Sequence, residues 1–516
     1  MSLSQTLDTK ETGDGPERFF RTEHLKADLG RRSARGGVVT LVAQGLKFLI
    51  FTGATVVLAR LLTPQDYGLV GMVTIIVSFV GMFQYLGLST ATVQWAELGH
   101  RQVSTLFWVN LALSAAITLL VMASAPLVAW FYGEPRLAAV TVGFAAAILL
   151  RGLSIQHEAL LVRQMRFAAI AANDLVALLL GLAAAIVAAL GGWGYWALVL
   201  NQLVMTGSTA AGVWIACGWR PGLPARSTGL RRMLSFGGNL TGFNLVNFVA
   251  RNIDNLLIGK VWGALQLGLY SRAYQLLLLP LDQVNAPFGA VAVPALSRLN
   301  ETPERYRAAF LKILEKIAML AMPGVAFMIA SADWLVLLML GPQWTGTALI
   351  FRLLGAAAIA QPLTKSAQWL FTTQGRTREI FRWGLIGGAI AVASIVAGLP
   401  WGAVGVATTY ALTDLCLTTP LLFWFVGRRG PVRASDFYRA CAPSACAAAC
   451  SMLAVFAARG WLEALPLAAR LASAFAVTAA VSLLVFAAIP AGRRALHGFA
   501  GTLVLVVRGG GGESVV

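Results

Sequence analysis

The sequence predicts an all-α integral membrane protein of about fourteen transmembrane helices, arranged as two parallel-repeat six-helix lobes plus two C-terminal helices. Three observations predict it. Of 516 residues, 58% are hydrophobic and only 12% charged, and the mean hydropathy is +0.73, far from the composition of water-soluble domains. Apolar runs of bilayer-spanning length recur along the chain, and their Ala, Leu and Gly content fits helices rather than a barrel, whose strands alternate over about 10 residues. A polar punctuation also repeats at an offset of 200 residues.

The first 36 residues are polar, mixed in charge and without an apolar h-region, so 1–36 reads as a cytoplasmic segment and not a cleavable signal peptide. Six spans follow over about 37–61, 68–95, 103–127, 137–156, 167–190 and 193–218, making an N-terminal lobe, 37–218. A linker at 219–235 carries Pro, Gly and Arg and leads to the C-terminal lobe, 236–426. Its spans cover about 236–260, 266–296, 308–332, 345–371, 379–399 and 402–426. A second linker, 427–438, precedes two further helices, 439–458 and 468–489, in the segment 439–489; residues 490–516 read as a cytoplasmic tail. External turns such as GGWG at 191–194 and LPWG at 399–402 are short, which leaves no room for a soluble domain.

The net charge of +18 does not indicate nucleic acid. With a cytoplasmic N-terminus, roughly 28 of the 40 Lys and Arg residues fall in cytoplasmic segments and about five in external ones, the positive-inside pattern. Five cysteines, an odd number, lie in predicted helices without metal-ligand spacing. His24, His100, His157 and His497 all fall in cytoplasmic segments, leaving none for a relay across the membrane. The chain holds no Gly-rich phosphate loop, no HExxH and no nucleophile with a nearby His, so neither an enzyme nor a cofactor is expected.

The repeat pairs LARLLTPQDYGLVGM at 58–72 with IGKVWGALQLGLYSR at 258–272. Lys260 stands opposite Arg60, Gly268 opposite Gly68, and, on the preceding helices, Asn244, Asn247 and Asn255 opposite Gln44, Lys47 and Thr55. Pro64 is expected to end one helix and Gly68 to permit a tight restart, giving an external elbow in which Arg60 and Asp66 are placed to pair. The elbow reads as structural or gating.

Charge at mid-membrane depth costs about 2.5–3.5 kcal/mol on insertion scales, so each such group needs a partner or a wet cavity. On the seventh helix Asn244, Asn247, Arg251, Asp254 and Asn255 fall within roughly 100° of arc. The first helix carries Gln44, Lys47 and Thr55; the eighth carries Arg272, Gln275, Asp282 and Gln283; the tenth carries Gln361, Lys365 and Gln368. The cations Lys47, Arg251, Arg272 and Lys365, with the polar faces of Gln44, Asn244, Asn247 and Asn255, are therefore expected to line a central cavity for an anionic headgroup. The competing structural reading pairs Arg251 with Asp254 on its own helix and lets both lysines snorkel. Asp174, Asp254, Asp282 and Asp414 are candidate ligands for a coupling proton or sodium ion, against a plain packing role.

The two elbows, together with YLGLSTATVQ at 85–94, ALLVRQMRF at 159–167 and NIDNLLIGKVWGALQLGLYSRAYQLLLLP at 252–280, closely resemble the polysaccharide (Wzx-type) flippases. These form the oligosaccharide branch of the multidrug/oligosaccharidyl-lipid/polysaccharide exporter superfamily, and the resemblance runs over about 37–426. It implies fourteen helices, localisation in the bacterial inner membrane with both termini cytoplasmic, and alternating-access transfer of an undecaprenyl-diphosphate-linked oligosaccharide between leaflets. The product would be capsule, exopolysaccharide or O-antigen, with polysaccharide polymerase and export machinery as candidate partners. The cavity cations rest on the helical-face argument, since the family motifs do not select them. Competing functions are drug export within the superfamily, for which a carboxylate-dominated cavity is expected, and a membrane-embedded polymerase or glycosyltransferase, for which a large external loop or an aqueous carboxylate motif is expected.

Overall fold

The computed structural model describes residues 29–85, 92–93, 98–224 and 230–507, which are helical and, among the described residues, form no β-strand. Helix α1 runs Leu29–Leu61 and so begins earlier than the expected residue 37. Helix α2, Pro64–Gly81, begins before the expected residue 68 and continues as a short 3-10 turn over Met82–Tyr85, and most of the rest of the expected span to residue 95 lies outside the described residues. The restart belongs to Thr63 and Pro64 and not to Gly68. Asp66 Oδ2 accepts hydrogen bonds from Thr63 N (2.9 Å) and Thr63 Oγ1 (2.7 Å), while Asp66 N donates to Thr63 Oγ1 (3.2 Å), a reciprocal capping box with Pro64 at the first helical position. Asp66, the carboxylate expected to pair with Arg60, closes this box.

Helices α3 (His100–Tyr132), α4 (Arg136–Arg163), α5 (Phe167–Leu190) and α6 (Trp196–Cys217) complete the first half. Helix α4 runs two turns past its expected end, which places His157 inside a helix and fully buried, not in a cytoplasmic segment. Its ring stacks on Trp214 with centroids 4.2 Å apart, and its Nε2–H donates to Trp219 O (3.2 Å). After α4, Met165 sits at φ 54 and Arg166 Nη1 donates to Ala216 O (2.8 Å), one of the orphan carbonyls at the end of α6.

Helix α7, Leu230–Arg298, is one long element broken at Gly263, whose φ of 76° and ψ of −174° no β-carbon-bearing residue adopts cheaply. Gly263 is the counterpart of Thr63, so one copy of the elbow turns on a capped break and the other on a glycine kink. Helix α8, Pro303–Ala330, is followed by an unanticipated short helix, α9, Ala332–Met339. The expected span 345–371 is two helices, α10 (Thr345–Ala358) and α11 (Gln361–Thr373), because Pro362, in the first turn of the second, has no backbone N–H to carry the hydrogen-bond ladder through. Helix α12 (Thr377–Gly398), the 3-10 turn Leu399–Trp401, α13 (Gly402–Thr413), a π segment (Asp414–Thr418) and α14 (Thr419–Gly427) form a run of 51 residues. Helices α15 (Ala434–Leu462) and α16 (Leu467–Ala488) follow, and α17 (Pro490–Val507) is a helix where a tail was expected.

Among the described residues, twelve helical stretches are long and apolar enough to cross a membrane. Helix α7, with 69 residues, and the run of 51 residues each suffice for two crossings at about 20 residues apiece, which brings the total to the expected fourteen. Mid-helix Leu119, Leu180 and Phe475 are 67%, 49% and 59% exposed, as lipid-facing side chains must be.

The chain forms two compact units, one of residues 1–62 and 73–249, the other of 63–72 and 250–516. Inside the first, polar side chains tie helices together: Gln84 Nε2 donates to Ser114 Oγ and Ile148 O (both 2.7 Å), and Gln156 Nε2 to Thr92 Oγ1 (2.6 Å). Lipid is as apolar as leucine, so such bonds and close packing, and not burial from water, hold membrane helices together. Inside the second unit, α8 packs against α15 around Phe310, Phe423 and Phe437, and Arg307 pairs with Asp436 at 2.5 Å.

The second unit also repeats the device seen after α4. Gly375 has φ 66, and Arg376 Nη1 donates to Val426 O (3.2 Å) at the end of α14. Gln164, Met165 and Arg166 thus correspond to Gln374, Gly375 and Arg376, each arginine capping a carbonyl 50 residues onward.

Candidate functional site

The second arm of α7 turns Ser271, Tyr274, Gln275, Leu278, Leu279, Asp282 and Gln283 toward one cavity of about 400 Å³, and Asn255 of the first arm completes the lining. Steps of three and four residues put these side chains on one face of the helix. The two arms are joined across the kink by Asp254, which is 9% exposed: its Oδ2 accepts from Tyr270 OH (2.9 Å) and its Oδ1 from Asn255 N (2.8 Å) and Asn255 Nδ2 (3.3 Å). These bonds orient Asn255 at the cavity wall.

Lys365 of α11 reaches the same wall and donates to Asp282 Oδ1 at 2.7 Å, with the two side chains 33% and 58% exposed. In the first unit, Lys47 of α1 donates to Asp174 Oδ2 of α5 at 2.5 Å. Both lysines expected as cavity cations therefore end on carboxylates expected as coupling ligands, as the insertion cost of a lone charge favours.

Arg272 turns away from the cavity lining. Its Nη1 donates to Gln275 Oε1 (2.5 Å), and its guanidinium carbon lies 3.8 Å from the centroid of the Tyr67 ring, a cation–π contact. Tyr67 is 4% exposed and meets Trp344 edge-on at 5.4 Å. The Arg272 Nε has no hydrogen-bond partner among the described residues. Gln44 is exposed, and Asp414 is half-buried within the π segment, a helix form frequent at functional positions. Asn244, Asn247 and Arg251 lie outside the residues whose side chains are described.

Of the expected substrate-contacting residues, Asn255 lines the cavity and Lys365 abuts it, while Lys47 belongs to the other unit. Ser271 and Tyr274 escaped the sequence reading, which weighed charged groups and carboxamides. The signal that would have found them is their helical spacing with Gln275 and Asp282. Chemically, the wall offers hydrogen-bond donors and acceptors without a nucleophile and base in contact, and no cluster of three or more His, Cys, Asp or Glu suited to a metal occurs among the described residues.

The model of a family described as "Polysaccharide biosynthesis protein" matches residues 57–349, more than half of the chain. The lipopolysaccharide biosynthesis protein WzxC of Escherichia coli (strain K12) is 23% identical over 396 residues, covering 75% of this chain and 78% of the relative. The succinoglycan biosynthesis transport protein ExoT of Rhizobium meliloti (strain 1021) is 26% identical over 376 residues, covering 72% and 74%. Among solved structures, the lipid II flippase MurJ in an inward closed conformation superposes with a TM-score of 0.67 at 12% identity, covering 87% of this chain and 98% of that one. An inward-facing multidrug resistance MATE family transporter superposes with a TM-score of 0.59 at 13% identity, covering 76% and 96%. At these identities the structural likeness speaks for the fold.

Proposed function

Because the chain belongs to the polysaccharide biosynthesis protein family of flippase-type transporters, we propose that it carries an undecaprenyl-diphosphate-linked oligosaccharide from the cytoplasmic to the external leaflet of a bacterial inner membrane by alternating access. The observation that supports this substrate class best is the polar cavity on α7, from Asn255 to Gln283. A transported glycan needs such a wall, and a lipid tail can stay in the bilayer beside it. Both termini are cytoplasmic, following the side on which Lys and Arg accumulate. With Asp174 and Asp282 held by lysines, Asp254 and Asp414 are the better candidates for a coupling ion. Polysaccharide polymerase and export machinery are the partners this role calls for.

The test is a strain lacking the gene. It is expected to accumulate lipid-linked repeat units facing the cytoplasm, protected from an externally added glycosidase. Unpolymerised units accumulating on the outside would overturn the transport reading in favour of a polymerase.

A further inference from the structure

The cavity wall carries three carboxamides (Asn255, Gln275, Gln283), a hydroxyl (Ser271), a phenol ring (Tyr274), one carboxylate (Asp282) and two leucines. Among the described residues it contains no cation. Lys365, which abuts it, is already engaged by Asp282, so the pair adds no net charge. A diphosphate requires the opposite: Arg forks or Lys ammonium groups free to meet several anionic oxygens. Arg272, one turn away, spends its guanidinium on Tyr67 and Gln275.

Carboxamides and a carboxylate serve a neutral polyhydroxyl ligand well, because each can donate to or accept from adjacent hydroxyls. Tyr274, stacked with Tyr270 at a 10° interplanar angle and 6.4 Å, supplies a flat apolar surface, and Leu278 and Leu279 supply more. A pyranose presents this mixture, with hydroxyls at its rim and C–H bonds on its faces. Asn255 Oδ1 is buried and has no hydrogen-bond partner among the described residues, an acceptor still to be satisfied beside the wall. The volume of about 400 Å³ lies in the lower part of the range of small-molecule pockets, about 300–1,000 Å³, and suits a short stretch of glycan.

We infer that this face of α7 is a sugar subsite, reading the neutral glycan part of the cargo. The inference rests on the proposed transport of a lipid-linked oligosaccharide and assigns its sugar-binding residues.

The test measures binding by the full chain in lipid nanodiscs to two probes: lipid-linked oligosaccharide extracted from the gene-deleted strain, and undecaprenyl diphosphate without sugar. Gln283→Leu and Tyr274→Leu are each expected to weaken the sugar-bearing probe about tenfold, the scale of one lost hydrogen bond or ring contact. Affinity for undecaprenyl diphosphate should stay at the wild-type level, which also reports that each variant is folded. Equal loss for both probes, or no loss for either, overturns the subsite while leaving the transport reading intact. Wild-type protein that binds neither probe overturns both.

Discussion

Gly68 and Gly268, exactly one repeat apart in the sequence, close a single helix crossing from its two sides. A β-carbon on Gly68 would run into the carbonyl oxygen of Ala264, and one on Gly268 would run into the carbonyl oxygen of Pro64. Ala264 and Pro64 are themselves repeat partners, so the contact is the same contact made twice. All four residues belong to the second compact unit, which takes residues 63–72 from the first half of the chain. Leu69 and Met72, at 0% and 1% exposure, complete this seat.

Gly68→Ala and Gly268→Ala should each force the crossing apart, because backbone carbonyls cannot swing aside as side chains do. Overpacking of this kind costs about 1–3 kcal/mol. The check is thermal denaturation in detergent, with Gly324→Ala as the control, since a β-carbon there meets nothing within 4 Å. A control as unstable as the two elbow variants would remove the close approach as the reason for glycine.

The capping box predicts a smaller effect. Thr63→Val removes both the hydroxyl that Asp66 N donates to and the donor of a bond to Asp66. Helix caps contribute about 1 kcal/mol, so the variant should insert and show a modestly lower melting temperature, whereas Thr63→Ser should melt like the parent.

Met165 occupies a left-handed backbone position that its repeat partner fills with Gly375. A β-carbon in that region costs about 1–2 kcal/mol. Met165→Gly should therefore stabilise the protein or leave it unchanged, and Gly375→Met should destabilise it. The reverse order in matched melting curves would show that side-chain packing, and not backbone strain, governs the turn.

The Lys365 and Asp282 pair should behave as a unit. Lys365→Ala leaves a carboxylate alone on the cavity wall, and adding Asp282→Asn should restore part of the lost transport. With both side chains about a third or more exposed, the stability effect is held to about 1 kcal/mol or less by solvent screening. Transport by the double variant no better than by Lys365→Ala would assign the lysine a role beyond balancing its partner.

Tyr67→Phe keeps a ring beneath Arg272 and should be tolerated, while Tyr67→Leu removes it. A partly desolvated cation–π contact contributes about 0.5–2 kcal/mol. Melting curves of the two variants that coincide would show that the ring contributes volume alone.

The helices were legible because the membrane leaves so few options: long apolar runs must be spans, and the kink at Gly263 and the turn at Leu399–Trp401 sit where spans were separated. What the sequence hid was partnership. Lys47 and Asp174 lie 127 residues apart, and Lys365 and Asp282 lie 83 apart, so reading each charge on its own helix assigned them separate jobs. Pro64 makes Gly68 look like a turn residue in the sequence, yet Thr63 and Asp66 show that the helix already begins at the proline. The Arg166 and Arg376 caps escaped notice since that repeat runs at a different offset from the elbows, and only the shared carbonyl contact reveals it.

The ion pairs joining Lys47 to Asp174 and Lys365 to Asp282 each lie inside one compact unit. At these exposures solvent screening holds each pair to about 1 kcal/mol or less, so what it secures is charge balance within its own unit. In the proposed transport cycle, charges balanced at home would leave the driving force to act on the cargo and not on the protein's own side chains.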